Sequence, residues 1–231
     1  MENAIEYRLW GPRALFTDPV TKVGGEKSTY PVPTYQALKG ITEAIYWKPT
    51  IIWYIDKVRI MRPIRNESVN VKLIKYEERD EKKQHDLSIF TYLRDAEYQV
   101  KAHFEWAEHR PDLAKDRNEN KHYFQACRAL ERGGRRDIFL GTRECQGYVE
   151  PCRFGEGEGI YDHCSNYPFG LMFHGFDYAD ETGRDELVAR FWNPDMRGGV
   201  IEFIRPEECT IRKHIKDYKP KLVGMSEDDG I

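Results

Sequence analysis

Tyr46, Lys121 and His122 carry the three side-chain types that could cut a phosphodiester without a metal, and two of them are chain neighbours. The hexapeptide Asn118-Glu119-Asn120-Lys121-His122-Tyr123 sets an imidazole beside an ammonium where the spacing predicts a helix start. Metal-independent RNA cleavage needs a base for the 2′-hydroxyl, an acid for the leaving 5′-oxygen and a cation for the pentacoordinate phosphate. Histidine titrates near neutrality and serves as either proton carrier. Lysine neutralises the transient charge, and a tyrosine hydroxyl positions or polarises the 2′-hydroxyl. Each residue alone also has a plain structural role. A single histidine near a helix start is more often a surface or capping residue, and Tyr46 alone reads as a half-buried aromatic with a solvated hydroxyl. Lys121 alone is a solvated charge. The positive end of a helix dipole disfavours cations and would lower the pKa of either basic group.

The segment after the hexapeptide is basic. From Lys121 to Arg143 there are six basic residues (Lys121, Arg128, Arg132, Arg135, Arg136 and Arg143), opposed only by Glu131 and Asp137. At spacings of four, three and one, Arg128, Arg132, Arg135 and Arg136 gather around the predicted helix end and its Gly133-Gly134 exit. Guanidinium forks pair with phosphates and stack on exposed bases. A salt-bridged surface helix is the alternative, but it lacks the acids. The excess points to a polyanion, RNA, with Arg128, Arg132, Arg135, Arg136 and Arg143 as its expected contacts. The net charge of −3 does not announce nucleic-acid binding; only the local distribution does.

The elements that must position these groups are readable from periodicity. Ile5, Tyr7 and Leu9 alternate with polar residues as in a half-buried strand. A Gly/Pro-rich stretch from Gly11 to Pro33 follows. Tyr35, Leu38, Ile41 and Ile45 then recur at helical spacing, with Thr34 as N-cap and Pro49 as the block beyond Lys48. Tyr46 falls at the end of that helix. Thr50 to Met61 and Tyr98 to Trp106 read as strands, with a charged, exposed insertion from Glu77 to Asp86 between them. A second helix runs from Asn118 to Arg132 and ends at Gly133, and Ile138 to Leu140 is a fourth short strand. Strand, helix, strand, strand, helix, strand is the split βαβ order. The expected class is therefore α+β, with a ferredoxin-like domain over residues 1–143. RNA-recognition modules share this order, but so do unrelated proteins. Its two helices lie on one sheet face, so the end of the first approaches the start of the second if they run antiparallel. After Gly141, short strand-like pieces (171–173, 187–192, 200–203) alternate with Gly, Pro and Asp, and Arg197-Gly198-Gly199 reads as a hairpin turn. They predict a small, β-rich antiparallel second domain over residues 144–231 with a frayed acidic tail from Ser226.

Composition narrows the classes. The chain has 231 residues, 40% of them apolar and 32% charged, which allows one large or two small soluble domains with a real core. No apolar run approaches a membrane span, and the N-terminus lacks signal-peptide character. Five cysteines, an odd number without a dense framework, fit a reducing cytoplasm. Cys145, Cys152, Cys164 and His163 lack the paired spacing of a structural zinc site, and no metal or other cofactor is expected. Gly24-Gly25-Glu26-Lys27-Ser28 lacks the Walker spacing, so nucleotide binding there is rejected. His103 and Glu105 share one solvent-facing side without a third ligand. His174 reads as a packed, aromatic-like residue, and Asp180, Glu181 and Asp185 read as an acidic loop.

Across nearly its whole length the chain resembles the CRISPR-associated Cas-five proteins of the type I-C (Dvulg) subtype. The segments carrying the likeness are Ala14-Leu15-Phe16-Thr17-Asp18-Pro19, Pro33-Thr34-Tyr35-Gln36-Ala37-Leu38-Lys39-Gly40 and Ile45-Tyr46-Trp47-Lys48-Pro49-Thr50. Tyr98-Gln99-Val100-Lys101-Ala102-His103-Phe104, the Asn118–Tyr123 hexapeptide, Gly133-Gly134-Arg135-Arg136-Asp137-Ile138-Phe139-Leu140-Gly141 and Glu144-Cys145-Gln146-Gly147-Tyr148-Val149 complete it. The resemblance implies a ferredoxin-like domain with a β-rich extension. It also implies a metal-independent endoribonuclease that cuts precursor CRISPR RNA at the repeat hairpin and its flanking strand. Attack by the 2′-hydroxyl would leave a 2′,3′-cyclic phosphate. The family's tyrosine, lysine and histidine carry over to Tyr46, Lys121 and His122. The implied partners are precursor CRISPR RNA and the other subunits of the type I-C surveillance complex, with no membrane. Other subtypes are non-catalytic and hold the 5′ handle of the guide RNA. That is the alternative here, and retention of all three side chains argues against it as the sole role.

Overall fold

The computed structural model describes residues 3–17, 26–74 and 85–219. Strand β1 (Ala4–Ala14) buries Ile5, Tyr7 and Leu9 and turns Glu6, Arg8 and Trp10 to the opposite face, as period-two alternation demands. It runs past the predicted stop, through Gly11. A Cβ at Gly11 would lie 2.7 Å from the Gln146 carbonyl, so only glycine lets the strand close there. The short β2 (Lys27–Ser28) precedes α1 (Tyr35–Ile45). Thr34 Oγ1 accepts the Ala37 amide at 3.2 Å, and Tyr35, Leu38, Ile41 and Ile45 are buried. The helix stops before Pro49 comes into play, because Tyr46 is already extended (φ −156°, ψ 128°).

Next come β3 (Ile51–Ile60), β4 (Asn66–Ile74) and β5 (His85–Trp106). The sequence reading missed β4, and found only the last part of β5. The first part of β5 pairs with β4 and the second with β3 and β1, so one long strand serves both a hairpin and the central sheet. Most of the Glu77–Asp86 run, the Gly24-Gly25 pair and the acidic tail lie outside the described residues. A 3-10 turn (Pro111–Asp116) leads into α2 (Glu119–Glu131), whose Asn118 cap accepts the Lys121 amide at 3.1 Å. β6 (Ile138–Phe139) and β7 (Gln146–Pro151) follow. The rest of the chain supplies β8 (Tyr167–Pro168), β9 (Met172–Asp177), α3 (Ala179–Thr182), β10 (Glu186–Trp192), β11 (Asp195–Met196), β12 (Val200–Glu202) and β13 (Ile211–Asp217).

The fold is mixed, with few helices and mainly antiparallel sheets. The largest sheet runs β12-β3-β5-β1-β7-β6, with β2 and β4 also pairing with β5; a second runs β13-β10-β9, and β11 pairs with β8. Two details differ from the sequence reading. The strand beside β1 is β7, whereas Ile138–Leu140 contributes only the two-residue edge strand β6. Leu140 turns into the core and Gly141, at φ 98°, ends the extended run. The Arg197-Gly198-Gly199 turn does form, closed by paired Arg197–Val200 hydrogen bonds with both glycines at positive φ. Its second strand, β12, however, joins β3 of the large sheet. Both main helices feed one core, in which Tyr7 on β1 bonds Thr42 on α1 at 2.8 Å. Among the described residues no helix is long and apolar enough to cross a membrane.

Candidate active site

The end of α1 is finished by the loop that leaves α2. The Gly133 amide returns to the Leu130 carbonyl and that of Gly134 to Ala129, a Schellman exit that needs positive φ at the glycines (82° and 102°). The next amides, of Arg135 and Arg136, donate to the Ala44 carbonyl at 3.2 and 3.1 Å, and Arg135 also reaches Ile45. They satisfy acceptors that the last turn of α1 leaves open. This docking brings α2 alongside Tyr46 and lays the Arg135 guanidinium over the Tyr46 ring, 4.7 Å from its centre. Trp53 Nε1 fixes the Tyr46 carbonyl from β3 at 2.7 Å.

The structure brings the three candidate residues into one network. The Tyr46 hydroxyl is 2.8 Å from His122 Nδ1 and 3.0 Å from Gln125 Oε1. His122 Nε2 lies 2.9 Å from the Asp116 carbonyl oxygen and 3.2 Å from Asp116 Oδ2. Both Asp116 oxygens are acceptors, so Nε2 carries a hydrogen. In neutral imidazole Nδ1 is then an acceptor, so the single phenolic hydrogen is shared between Nδ1 and Gln125 Oε1, with Nδ1 the nearer of the two. Lys121 approaches from the other side of the ring, its Nζ 2.8 Å from Asp116 Oδ1. Thr50 Oγ1 donates to Asp116 Oδ2 at 2.7 Å. The resulting chain is carboxylate, imidazole, phenol, with an ammonium at the carboxylate end.

Exposure divides the set. Tyr46 and His122 are fully enclosed, while the Lys121 side chain is 41% exposed. Burial pushes His122 below its ordinary pKa and outweighs the raising effect of Asp116; Lys121 and Lys48 add to the lowering. Burial raises the Tyr46 phenol to about 12 despite the opposing charge of Arg135. Burial would also raise the Asp116 carboxyl, but hydrogen bonds from Lys121 and Thr50, and the charges of His122 and Lys121, hold it below its usual value. The resting network is thus a carboxylate, a neutral imidazole and a neutral phenol.

The sequence reading missed Asp116, Thr50 and Gln125. Gln125 was within reach of inference, since it sits one turn after Lys121 and His122 on α2. Asp116 carried no such signal, because its place depends on the 3-10 turn that folds the chain back before the cap. Of the five arginines expected to meet RNA, Arg132, Arg135, Arg136 and Arg143 line one groove of about 710 Å3. Arg128 is exposed on α2 and does not line it. Asp137 is the single carboxylate in that lining.

Other candidates fall elsewhere. His103 bonds Asp56 at 2.7 Å and faces Glu105 at 3.3 Å, and the Asp56 bond first, then Glu105, raise its pKa against burial. Asp180 and Glu181 lie on α3 and not in an open acidic loop, and Glu181 neutralises the buried Lys39. The five cysteines are all free thiols.

The family model described as CRISPR-associated protein (Cas_Cas5) matches residues 4–204. The chain belongs to this family. A relative in Thermus thermophilus, named CRISPR pre-crRNA endoribonuclease Cas5d, is 31% identical over 209 residues, 87% of this chain and 84% of its own. A protein of the same name in Mannheimia succiniciproducens is 49% identical over 69 residues, 30% of each chain. A solved structure titled as that of a CRISPR-associated protein superposes with a TM-score of 0.72 at 35% identity, covering 91% of this chain and 96% of its own. Family membership agrees with the resemblance read from the motifs.

Proposed function

We propose that this protein is the endoribonuclease that processes precursor CRISPR RNA and remains a subunit of the type I-C surveillance complex. The observation that carries the reading is the Tyr46–His122 hydrogen bond of 2.8 Å, backed by Asp116 and flanked by an exposed Lys121. In the reaction we envisage, His122 Nδ1 takes the phenolic proton as the Tyr46 oxygen takes that of the RNA 2′-hydroxyl. The 2′-oxygen attacks phosphorus, the bond to the 5′-oxygen breaks, and a 2′,3′-cyclic phosphate remains. Lys121 neutralises the charge on the phosphorane and gives the 5′-oxygen its proton; His122 then releases its extra proton to water, and Lys121 takes one up from water, which restores both groups. Every proton in this route moves through a protein group, so the reaction is metal-independent. Because the pair is enclosed, RNA reaches it once Arg135 leaves the Tyr46 ring for a phosphate.

The experiment is incubation of purified protein with its own repeat RNA in EDTA. The wild type should cut and leave a cyclic phosphate end. Undiminished cleavage by Lys121→Ala or His122→Ala would remove the assignment.

The enclosure of Tyr46 and His122 favours one other reading, a subunit that holds the 5′ handle of the guide RNA without cutting. RNA binding with no cleavage under any of these conditions would select it. In either reading we assign the arginine groove, with Arg128 beside it, to RNA and the protein to the cytoplasm. The strand order β7-β1-β5-β3, with α1 and α2 in its crossovers, supports a ferredoxin-like core. The separate β13-β10-β9 sheet supports a β-rich unit within residues 144–231, while β7 (Gln146–Pro151) belongs to the core sheet, so we extend the RNA-processing domain past the expected 1–143 to residue 151.

A further inference from the structure

The sheet has a second face, away from α1 and α2. Over much of β1, β5 and β3 the chain that follows β7 lies against it. The Phe154 amide donates to Glu6, the Gly155 amide to Gln99, and Asp162 pairs with Arg59. The β1–β7 end retains exposed aromatic surface. There the register sets Trp10 opposite Tyr148, with ring centres 5.8 Å apart and planes 32° from parallel. The Arg8 guanidinium lies over Trp10 at 4.8 Å and is held by Glu97 at 2.9 Å and Glu150 at 2.8 Å. Arg8, Trp10 and Tyr148 therefore form a braced stack that ends in a ring 51% exposed.

Tyr148 also lines the arginine groove. Phe139 joins it there, with the Arg143 guanidinium 5.8 Å from its ring centre. Gln146 anchors the strand by donating to the Ile138 and Gly147 carbonyls. A rigid ring costs little side-chain entropy to engage, and it stacks any base without sequence preference. Inside a duplex the base faces are already covered by their neighbours, so a free face is offered only by an unpaired base or by the last pair of a helix. The groove's four arginines and one acid supply the matching charge for that nucleotide's phosphates.

We propose that Tyr148, backed by Trp10 and Arg8, is a stacking platform for one unpaired nucleotide of the strand flanking the repeat hairpin. The assignment rests on the RNA-processing reading and deepens it: the hairpin meets the arginines, and the flanking strand is gripped through a base. The test is equilibrium binding of two probes, the repeat hairpin with its flanking strands and the same hairpin blunt-ended. Tyr148→Ala should weaken the flanked probe about 5- to 150-fold and leave the blunt probe unchanged, with the same salt slope for both. Tyr148→Phe and Tyr148→Trp should restore binding, and an abasic site at the stacked position should cost the wild type affinity but not Tyr148→Ala. Wild-type affinity of Tyr148→Ala for the flanked probe would overturn the platform while leaving the RNA reading intact, as would an equal loss on both probes. Failure of the wild type to bind either probe would overturn both.

Discussion

Two histidines, His122 and His174, are equally enclosed in this protein, and they are wired differently. Each has no exposed surface, and burial lowers the pKa of each. His174 lies flat on Tyr35 with centres 4.2 Å apart, and Trp192 and Phe203 meet it edge-on. Its Nε2 donates to the Ile204 carbonyl at 3.0 Å, while Nδ1 is buried without a partner among the described residues. Burial, with Arg190 and Arg212 nearby, takes its pKa down to about 3. His122 also has aromatic walls, Phe104 and Trp106, yet Nδ1 faces a phenol and Nε2 faces a carboxylate. A proton at His174 Nδ1 has no source and no counter-charge. At His122 it has both. Burial alone therefore accounts for packing, whereas a donor on one nitrogen and an anion on the other are what the proposed proton transfer requires.

The largest effect that would break this contrast is on cleavage. His122→Ala should lower the single-turnover rate about 10²–10⁴-fold, while His174→Phe keeps the wild-type rate within a factor of about two. Equal losses in folded variants would erase the distinction. Tyr46→Phe keeps the ring under Arg135 and removes only the hydroxyl that relays the proton, so its rate should fall about a hundredfold with a circular dichroism spectrum like the wild type's. Asp116→Asn removes the charge that favours the imidazolium. Its rate should fall roughly ten- to a hundredfold, the worth of a charge-assisted hydrogen bond. The acid limb of the pH–rate profile should move to lower pH, because Asp116 raises the His122 pKa. An unmoved limb would take Asp116 out of the relay.

The smallest effect is on stability. A histidine whose folded pKa is depressed stabilises the fold above its unfolded value, and that contribution is lost as pH falls. For His174 the window runs from the ordinary 6.5 down to about 3. Urea midpoints for the wild type should drop across it, and His174→Phe should show a shallower slope. The variant should also be about 1–3 kcal/mol less stable near neutrality, because the Ile204 carbonyl loses its donor. Parallel slopes for the two proteins would show that folded His174 takes up its proton as readily as in the unfolded chain, and that its pKa is not depressed.

Local signals in the sequence located the helices and their ends well. Thr34 and Asn118 cap as their positions imply, and Gly133 stops α2. Tyr46, Lys121 and His122 were legible because the helix termini that hold them were legible. What was not readable depends on long-range pairing. β4 is an exception: Val69, Val71 and Leu73 alternate with Ser68, Asn70 and Lys72, a strand period that the sequence reading passed over, and the strand pairs with the outward continuation of β5. β7 became the neighbour of β1 because Gly11 and Gly147 let the two strands and Leu140 close together. Asp116 needed a turn that no periodicity announces. His174 was read correctly as a packed ring, since a histidine between Phe173 and Phe176 sits in an apolar run.

The four residues from Gly133 to Arg136 end one helix and complete another, and they also carry the guanidinium that roofs the phenol. A phosphate that draws Arg135 away therefore pulls on a segment tethered to both helices. In the proposed reaction, strand seating and proton transfer share a mechanical joint, and a ligand that never reaches Arg135 leaves the phenol capped. On that reading the enclosure that hides Tyr46 becomes a safeguard: polyanions that settle elsewhere on this basic surface leave the proposed relay covered.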